Sequence, residues 1–111
     1  MNYYSNETDE VYTENQSFIN PDQIFINKSI IHPNVTVNAT NGPVIIDSGV
    51  EVYGPSYLEG PLYIGNKTLI KPLTQIKNSV IGPVCKIGGE IDSVIIQGYT
   101  NKVHDLSLIH I

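Results

Sequence analysis

Large aliphatic residues recur along this chain at intervals of six: Ile46, Val52, Leu58, Ile64, Ile70 and Ile76. A five-residue step then leads to Ile81 and six more residues to Ile87; Ile31 and Val37 show the same spacing before a nine-residue step to Ile46. Four residues after the positions from Ile46 onward stand Val50, Ser56, Leu62, Thr68, Thr74, Val80, Cys85 and Ile91, all small, β-branched or aliphatic. An α-helix would repeat its apolar stripe at three and four, so six is the wrong period for it. Six suits a short strand plus a bend: alternate residues of a strand point the same way, which turns positions i and i+4 inward and leaves i+2 for the corner. Gly54, Gly60, Gly65, Gly82, Gly88 and Gly89 fall between the inward positions, where they permit tight or left-handed turns. Pro43, Pro55, Pro61, Pro72 and Pro83 would interrupt an ordinary sheet ladder but are tolerated at corners. The pattern predicts an all-β parallel solenoid whose coils each stack on the last, with three hexads per coil and about four coils between residues 31 and 103.

The polar residues divide the chain differently. Glu7, Asp9, Glu10, Glu14 and Asp22 all precede the first lysine, Lys28, and the remaining six acids are balanced by six lysines. Residues 1–23 carry this excess without periodic apolar positions and read as a polar, poorly ordered lead. Residues 24–105 form the repeat region. A net charge of −5 with no arginine argues against nucleic acid as a partner. No apolar run approaches the length of a membrane span, and no leader follows Met1, so we expect no membrane association and a cytoplasmic location. The single cysteine, Cys85, excludes a disulfide framework and reads as a small buried hydrophobe. The Asn-x-Ser/Thr sequons at Asn6, Asn15, Asn27, Asn34, Asn38 and Asn66 read as turn chemistry, given that no leader is visible.

Several stretches are more distinctive than the hexads: Gly42-Pro43-Val44-Ile45-Ile46, Gly60-Pro61-Leu62-Tyr63-Ile64-Gly65, the run from Ile81 through Gly88-Gly89-Glu90, and Ile95-Ile96-Gln97-Gly98-Tyr99-Thr100-Asn101-Lys102-Val103-His104-Asp105. Over residues 24–105 the chain resembles the C-terminal half of the bifunctional N-acetylglucosamine-1-phosphate uridyltransferase/glucosamine-1-phosphate acetyltransferase and its sugar-phosphate nucleotidyltransferase relatives. The resemblance implies a left-handed parallel β-helix, a handedness that the periodicity alone does not supply, since parallel crossovers are usually right-handed. It also implies a homotrimer, acetyl-CoA as acyl donor and an amino-sugar phosphate as acceptor. The family's N-terminal nucleotidyltransferase half, which would use magnesium, has no counterpart here, so the chain reads as a fragment. The residues that hold acetyl-CoA and the oxyanion follow His104 in the family and are absent, so the resemblance implies that the fragment is inactive by itself. Residues 106–111, Leu-Ser-Leu-Ile-His-Ile, depart from the family pattern. They match the reading CTG-TCT-CTT-ATA-CAC-ATC of a transposon end used in sequencing libraries, and we expect them to be adapter-derived.

The same resemblance assigns chemistry. His104 matches the family's general base, a task suited to a side chain that exchanges a proton near neutrality. Glu90 matches an acidic residue of that site, and Tyr99 and Lys102 lie where they would bind phosphate or position the sugar. Without the resemblance, His104 is a loop histidine beside Asp105, Glu90 a polar residue on a solvated face and Lys102 a solvated lysine. Thr74 and Asp92 stand where the family supplies basic residues for the sugar phosphate, and Asp92 would repel a phosphate. No metal site is expected: a three-histidine zinc centre is short of ligands, with His32 reading as a corner residue and His110 in the excluded tail. Two other readings stand beside the acetyltransferase: a non-catalytic β-helix that trimerises and regulates a nucleotidyltransferase, and a structural β-solenoid.

Overall fold

The computed structural model describes residues 16–100 in full and the backbone of residues 103–107. It contains twelve strands and one short 3₁₀ turn, Pro21–Gln23: β1 Ser17–Ile19, β2 Ile24–Ile26, β3 Ile30–Ile31, β4 Val35–Asn38, β5 Val44–Ile46, β6 Glu51–Val52, β7 Ser56–Ile64, β8 Leu69–Ile70, β9 Thr74–Ile81, β10 Lys86–Asp92, β11 Ile95–Ile96 and β12 Val103–Ser107. Every pairing is parallel and joins one coil to the next. The strands stack in three columns. The first contains β1, β4 and the opening halves of β7 and β9, followed by the later part of β10. The second contains β2, β5, the later parts of β7 and β9, and β11. The third contains β3, β6, β8, the start of β10 and the start of β12. From Ile30 to Val103 the third column is visited five times, so the chain makes four turns between its first and last visit. The chain is a parallel β-solenoid of about four turns, as its hexads predict.

The interior follows the hexad rule closely. Ile31, Val37, Ile46, Val52, Leu58, Ile64, Ile70, Ile76, Ile81 and Ile87 are all buried, and with Val50, Leu62, Cys85 and Ile91 at i+4 positions they belong to one apolar core. One i+4 assignment fails. Val80 is 44% exposed, and Ser79 is buried in its place. The five-residue step from Ile76 to Ile81 omits a residue, which advances the strand so that Ser79 and Ile81 point in while Val80 points out. Strand alternation outweighs the apolar character of Val80.

Four of the five buried hydroxyls, all but that of Thr74, are satisfied by one recurring device. Each accepts the backbone N–H of the corner residue on the following coil: Ser29 from Val50, Ser56 from Thr74, Thr68 from Cys85 and Ser79 from Val94, at 3.2 to 3.3 Å. Each also donates to a carbonyl, as Thr68 does to Gly82 O at 3.0 Å and Ser79 to Lys77 O at 2.9 Å. The small polar residue thus replaces a ladder hydrogen bond that the bend would otherwise leave unmade. Cys85 occupies the same kind of position, buried, with its thiol 3.3 Å from Gln97 O.

The corners correct the expected role of glycine. Positive φ falls mainly three residues after an inward aliphatic, at Asn34, Gly49, Lys67, Leu73, Val84 and Tyr99, so side chains other than glycine make most left-handed bends. Gly54 and Gly60 serve close approach instead. A Cβ on Gly54 would lie 2.0 Å from Pro33 O, and one on Gly60 2.1 Å from Gly42 O. Each glycine precedes a proline across a cis peptide, Gly54–Pro55 and Gly60–Pro61.

Coil length is not constant. Val35 faces Ser56, 21 residues on; Ser56 faces Thr74, 18 on; Gln75 faces Glu90, 15 on. The nine-residue step around Ala39–Pro43 lengthens one coil, and the shortened hexads tighten a later one. The solenoid also begins before residue 24. β1 lies within the segment that composition assigns to the lead, and it pairs with β4, Phe18 facing Val37 and packing partly buried against the core. The rest of the lead, residues 1–15, lies outside the described residues, as do 101–102 and 108–111. At the other end β12 carries the pairing through Leu106 and Ser107, opposite Ile91 and Asp92.

Candidate functional site

β10 begins in the third column and ends in the first, turning the corner through Gly88-Gly89-Glu90. Gly88 is buried and Gly89 has φ 78; at this point the register against β12 shifts between Gly88 and Ile91. The backbone of His104 pairs with Gly88, 16 residues earlier. Glu90 therefore lies two residues along the chain from the partner of His104, on the coil below, and is exposed, facing Gln75 in the first column. Fold and register bring the backbone of His104 and Glu90 to one corner of the solenoid. The side chain of His104 and all of Lys102 lie outside the described residues.

Tyr99 occupies a different corner, between the second and third columns. Its φ is 63, its N–H donates to Pro83 O at 2.7 Å, and its side chain is 79% exposed. It is the equivalent of Leu73 and Val84, each three residues after an inward isoleucine, so its backbone does corner work irrespective of any ligand. Thr74 is buried, its hydroxyl donating to Lys71 O at 2.6 Å, and it cannot present itself to a ligand on the first-column face. Asp92 does face outward on that column, in register with Lys77, and accepts the Ser93 hydroxyl at 2.8 Å.

Three outward-facing groupings were not singled out in the sequence. On the first column the outward tracks run Thr36–Tyr57–Gln75–Glu90 and Asn38–Glu59–Lys77–Asp92. Within them the Tyr57 hydroxyl donates to Glu59 Oε1 at 2.8 Å and accepts from Asn38 Nδ2 at 3.0 Å, while Asn41 Nδ2 donates to Glu59 Oε2 at 2.8 Å. These two donors, the Tyr57 hydroxyl first, hold the Glu59 carboxyl below its ordinary range. Burial and the neighbouring carboxylate push the Tyr57 phenol up.

On the third column, His32 Nε2 lies 2.9 Å from Glu51 Oε2 and its ring stacks on Tyr53, centroids 4.3 Å apart and planes within 9°. The hydrogen bond from His32, then that from Tyr53, lowers the Glu51 carboxyl, and the same carboxylate raises the Tyr53 phenol. His32 is thus more than a corner residue: it ties the first described coil to the second. On the second column Phe25, Ile45, Tyr63, Val80 and Ile95 stand in register on five successive coils. All point outward, four of them between 39% and 66% exposed, and Ile45, Tyr63, Val80 and Ile95 border an open groove of about 560 Å³ edged by Pro43 and Pro61. The sequence signal for this stripe is a large apolar residue just before the inward aliphatic in every third hexad.

Among the described residues no group of three or more His, Cys, Asp or Glu is placed to hold a metal ion, and no helix is long and apolar enough to cross a membrane. Comparison of the chain with protein-family models and with curated proteins finds no match.

Proposed function

We propose that this solenoid is the acyltransferase-type domain of a cytoplasmic sugar-nucleotide biosynthesis enzyme, following a nucleotidyltransferase domain in the longer protein. It transfers an acetyl group from acetyl-CoA to the amine of an amino-sugar phosphate. The observation that carries this reading is the register of His104 against Gly88 beside the Gly88-Gly89-Glu90 corner. Two chain segments with a distinctive likeness to the acetyltransferase family meet there, at one of the points where the register shifts. In the reaction the sugar nitrogen attacks the thioester carbonyl carbon, the coenzyme A thiolate departs, and the imidazole of His104 takes the proton from the nitrogen. Glu90 orients the amine and Lys102 contributes to holding the sugar phosphate, while Tyr99, at the corner between the second and third columns, lies outside this site. Asp92 and Glu59, on the same face as Glu90, disfavour a phosphate on that side, so the phosphate approaches from the third column.

Release of coenzyme A from acetyl-CoA in the presence of amino-sugar phosphates, followed for the full-length protein and its His104→Ala variant, tests the assignment. The expected loss is ~10²-fold or more, the contribution of a general base. Equal turnover in both proteins, or none in either, removes it.

A second reading, a trimerising module that supports the nucleotidyltransferase without chemistry of its own, is favoured by the apolar stripe on the second column. Exposed contiguous apolar surface of this kind marks interaction sites, and a stripe that crosses all five coils fits a second and third copy of the same chain. The homotrimer belongs to both readings; retained acetyl transfer decides between them.

A further inference from the structure

The connection from β4 to β5 contains Asn41-Gly42, the one asparagine in the chain that is followed by glycine. Asn41 is exposed and attached to the rest of the fold through its side-chain amide, which donates to Glu59 Oε2 at 2.8 Å. Among the described residues nothing accepts the N–H of Gly42, whereas Thr40 N, two residues earlier, is taken by Asn38 Oδ1 at 2.9 Å. The glycine is demanded by packing: a Cβ there would lie 2.9 Å from the Pro61 ring. Glycine is therefore retained at the position where it leaves the following nitrogen least shielded.

We infer that Asn41 is a site of spontaneous deamidation, and that its conversion breaks the side-chain tie between the β4–β5 connection and Glu59 of β7. The backbone nitrogen of Gly42 attacks the side-chain carbonyl carbon of Asn41, closing a five-membered succinimide as the amide nitrogen leaves as ammonia. Water then opens the ring at either carbonyl, leaving aspartate or isoaspartate. One water is consumed and one ammonia released, with no oxidant or partner required. The absence of a Cβ on Gly42 gives the nitrogen the freedom to reach the carbonyl. The other described asparagines lack that advantage: Asn27, Asn34, Asn38, Asn66 and Asn78 precede residues that carry side chains, and Asn20 precedes Pro21, which has no N–H to give up. Either product replaces the amide donor facing Glu59 with a carboxylate. A hydrogen bond becomes a like-charge contact, on a face where Asp92 already repels Glu59.

The 111-residue chain, held at mildly alkaline pH and mapped by peptide mass over time, tests the inference. The peptide with Asn41 gains about 1 Da ahead of those with Asn27, Asn66 and Asn78, as a mixture of aspartyl and isoaspartyl forms. Conversion of any of those three at an equal or faster pace overturns the site. The Asn41→Asp variant has a lower thermal midpoint than Asn41→Gln, which keeps the donor to Glu59; equal midpoints overturn the broken tie to Glu59 as a consequence of conversion.

Discussion

The first- and second-column faces of the solenoid share one interior and differ in what they show to the outside. Beneath both lie the same inward aliphatics, with Leu58 and Ile76 under one face and Ile46, Ile64 and Ile81 under the other, all at 1% exposure or less. Outside, the first face is covered by hydrogen-bonding side chains from Thr36 to Asp92, and the second by the apolar file from Phe25 to Ile95. The core cannot be the origin of that difference, since it repeats. In a solenoid the inward positions specify stacking and the outward positions are free to specialise face by face, because each coil contacts mainly its neighbours. Function should therefore be sought along columns, across coils, and less along the chain.

The comparison is broken most completely by charging the apolar face. Ile45→Lys with Val80→Lys places two cations on the second column, in line with Tyr63 between them. We expect the trimerisation proposed above to be abolished in sedimentation velocity. Unfolding stability should stay within about 0.5 kcal/mol, as for surface substitutions outside special features. The matching pair on the polar face, Thr36→Lys with Gln75→Lys, should leave association intact. Equal effects from both pairs would remove the second column from the interface.

A smaller effect sharpens the claim that the interior is shared. Thr68 is 1% exposed; its hydroxyl accepts from Cys85 N and donates to Gly82 O. Thr68→Val keeps the shape and strands both backbone groups, which costs about 1–3 kcal/mol. The urea midpoint should fall with little change in slope. Thr68→Ser should recover most of the loss, whereas an effect of volume alone would not be rescued by the smaller residue.

What could be read from the sequence follows this division. Inward hexad positions are legible because burial makes each of them answer to one simple rule, and the stack repeats it. The rule failed at Val80, where one missing residue changed the strand's phase and an apolar side chain was left outside. The expected function of glycine failed for a similar reason: at Gly54 and Gly60 the constraint comes from a neighbouring coil, which is invisible until coils are aligned. The outward stripe was hidden because reading every hexad alike pools three faces. The bond between His32 and Glu51 crosses 19 positions, and that pairing depends on a coil lengthened by the nine-residue step. His104 and Glu90 converge because the coil there is short, while Tyr99, close to His104 in sequence, sits at another corner. Proximity along the chain was a poor guide to the candidate site, since a corner residue and its neighbour can face different directions.

The smallest expected effect concerns the third face, intermediate between the other two, with Ile30 exposed beside the His32–Glu51–Tyr53 group. The hydrogen bonds from His32 and Tyr53 depress the Glu51 carboxyl in the folded chain. A depressed carboxyl binds its proton less readily folded than unfolded, so the stability it contributes is present above the unfolded value near 4.5 and lost as pH falls through the lower folded value. Both side chains are about one-third exposed, at 33% and 34%. Solvent screening therefore limits the contribution to the ~0.2–1 kcal/mol of a surface pair. Urea unfolding followed from neutral to acid pH should lose that increment in the native chain, and Glu51→Gln should flatten this part of the profile while leaving the loss due to Glu59 in place. His32→Gln should reduce the Glu51 component without abolishing it, because Tyr53 still donates. If Glu51→Gln leaves the acid limb unchanged, the link between the first two coils rests on the stacked rings and the backbone ladder alone, and the third face, unlike the first with its Glu59 network, owes its stability to what lies beneath it.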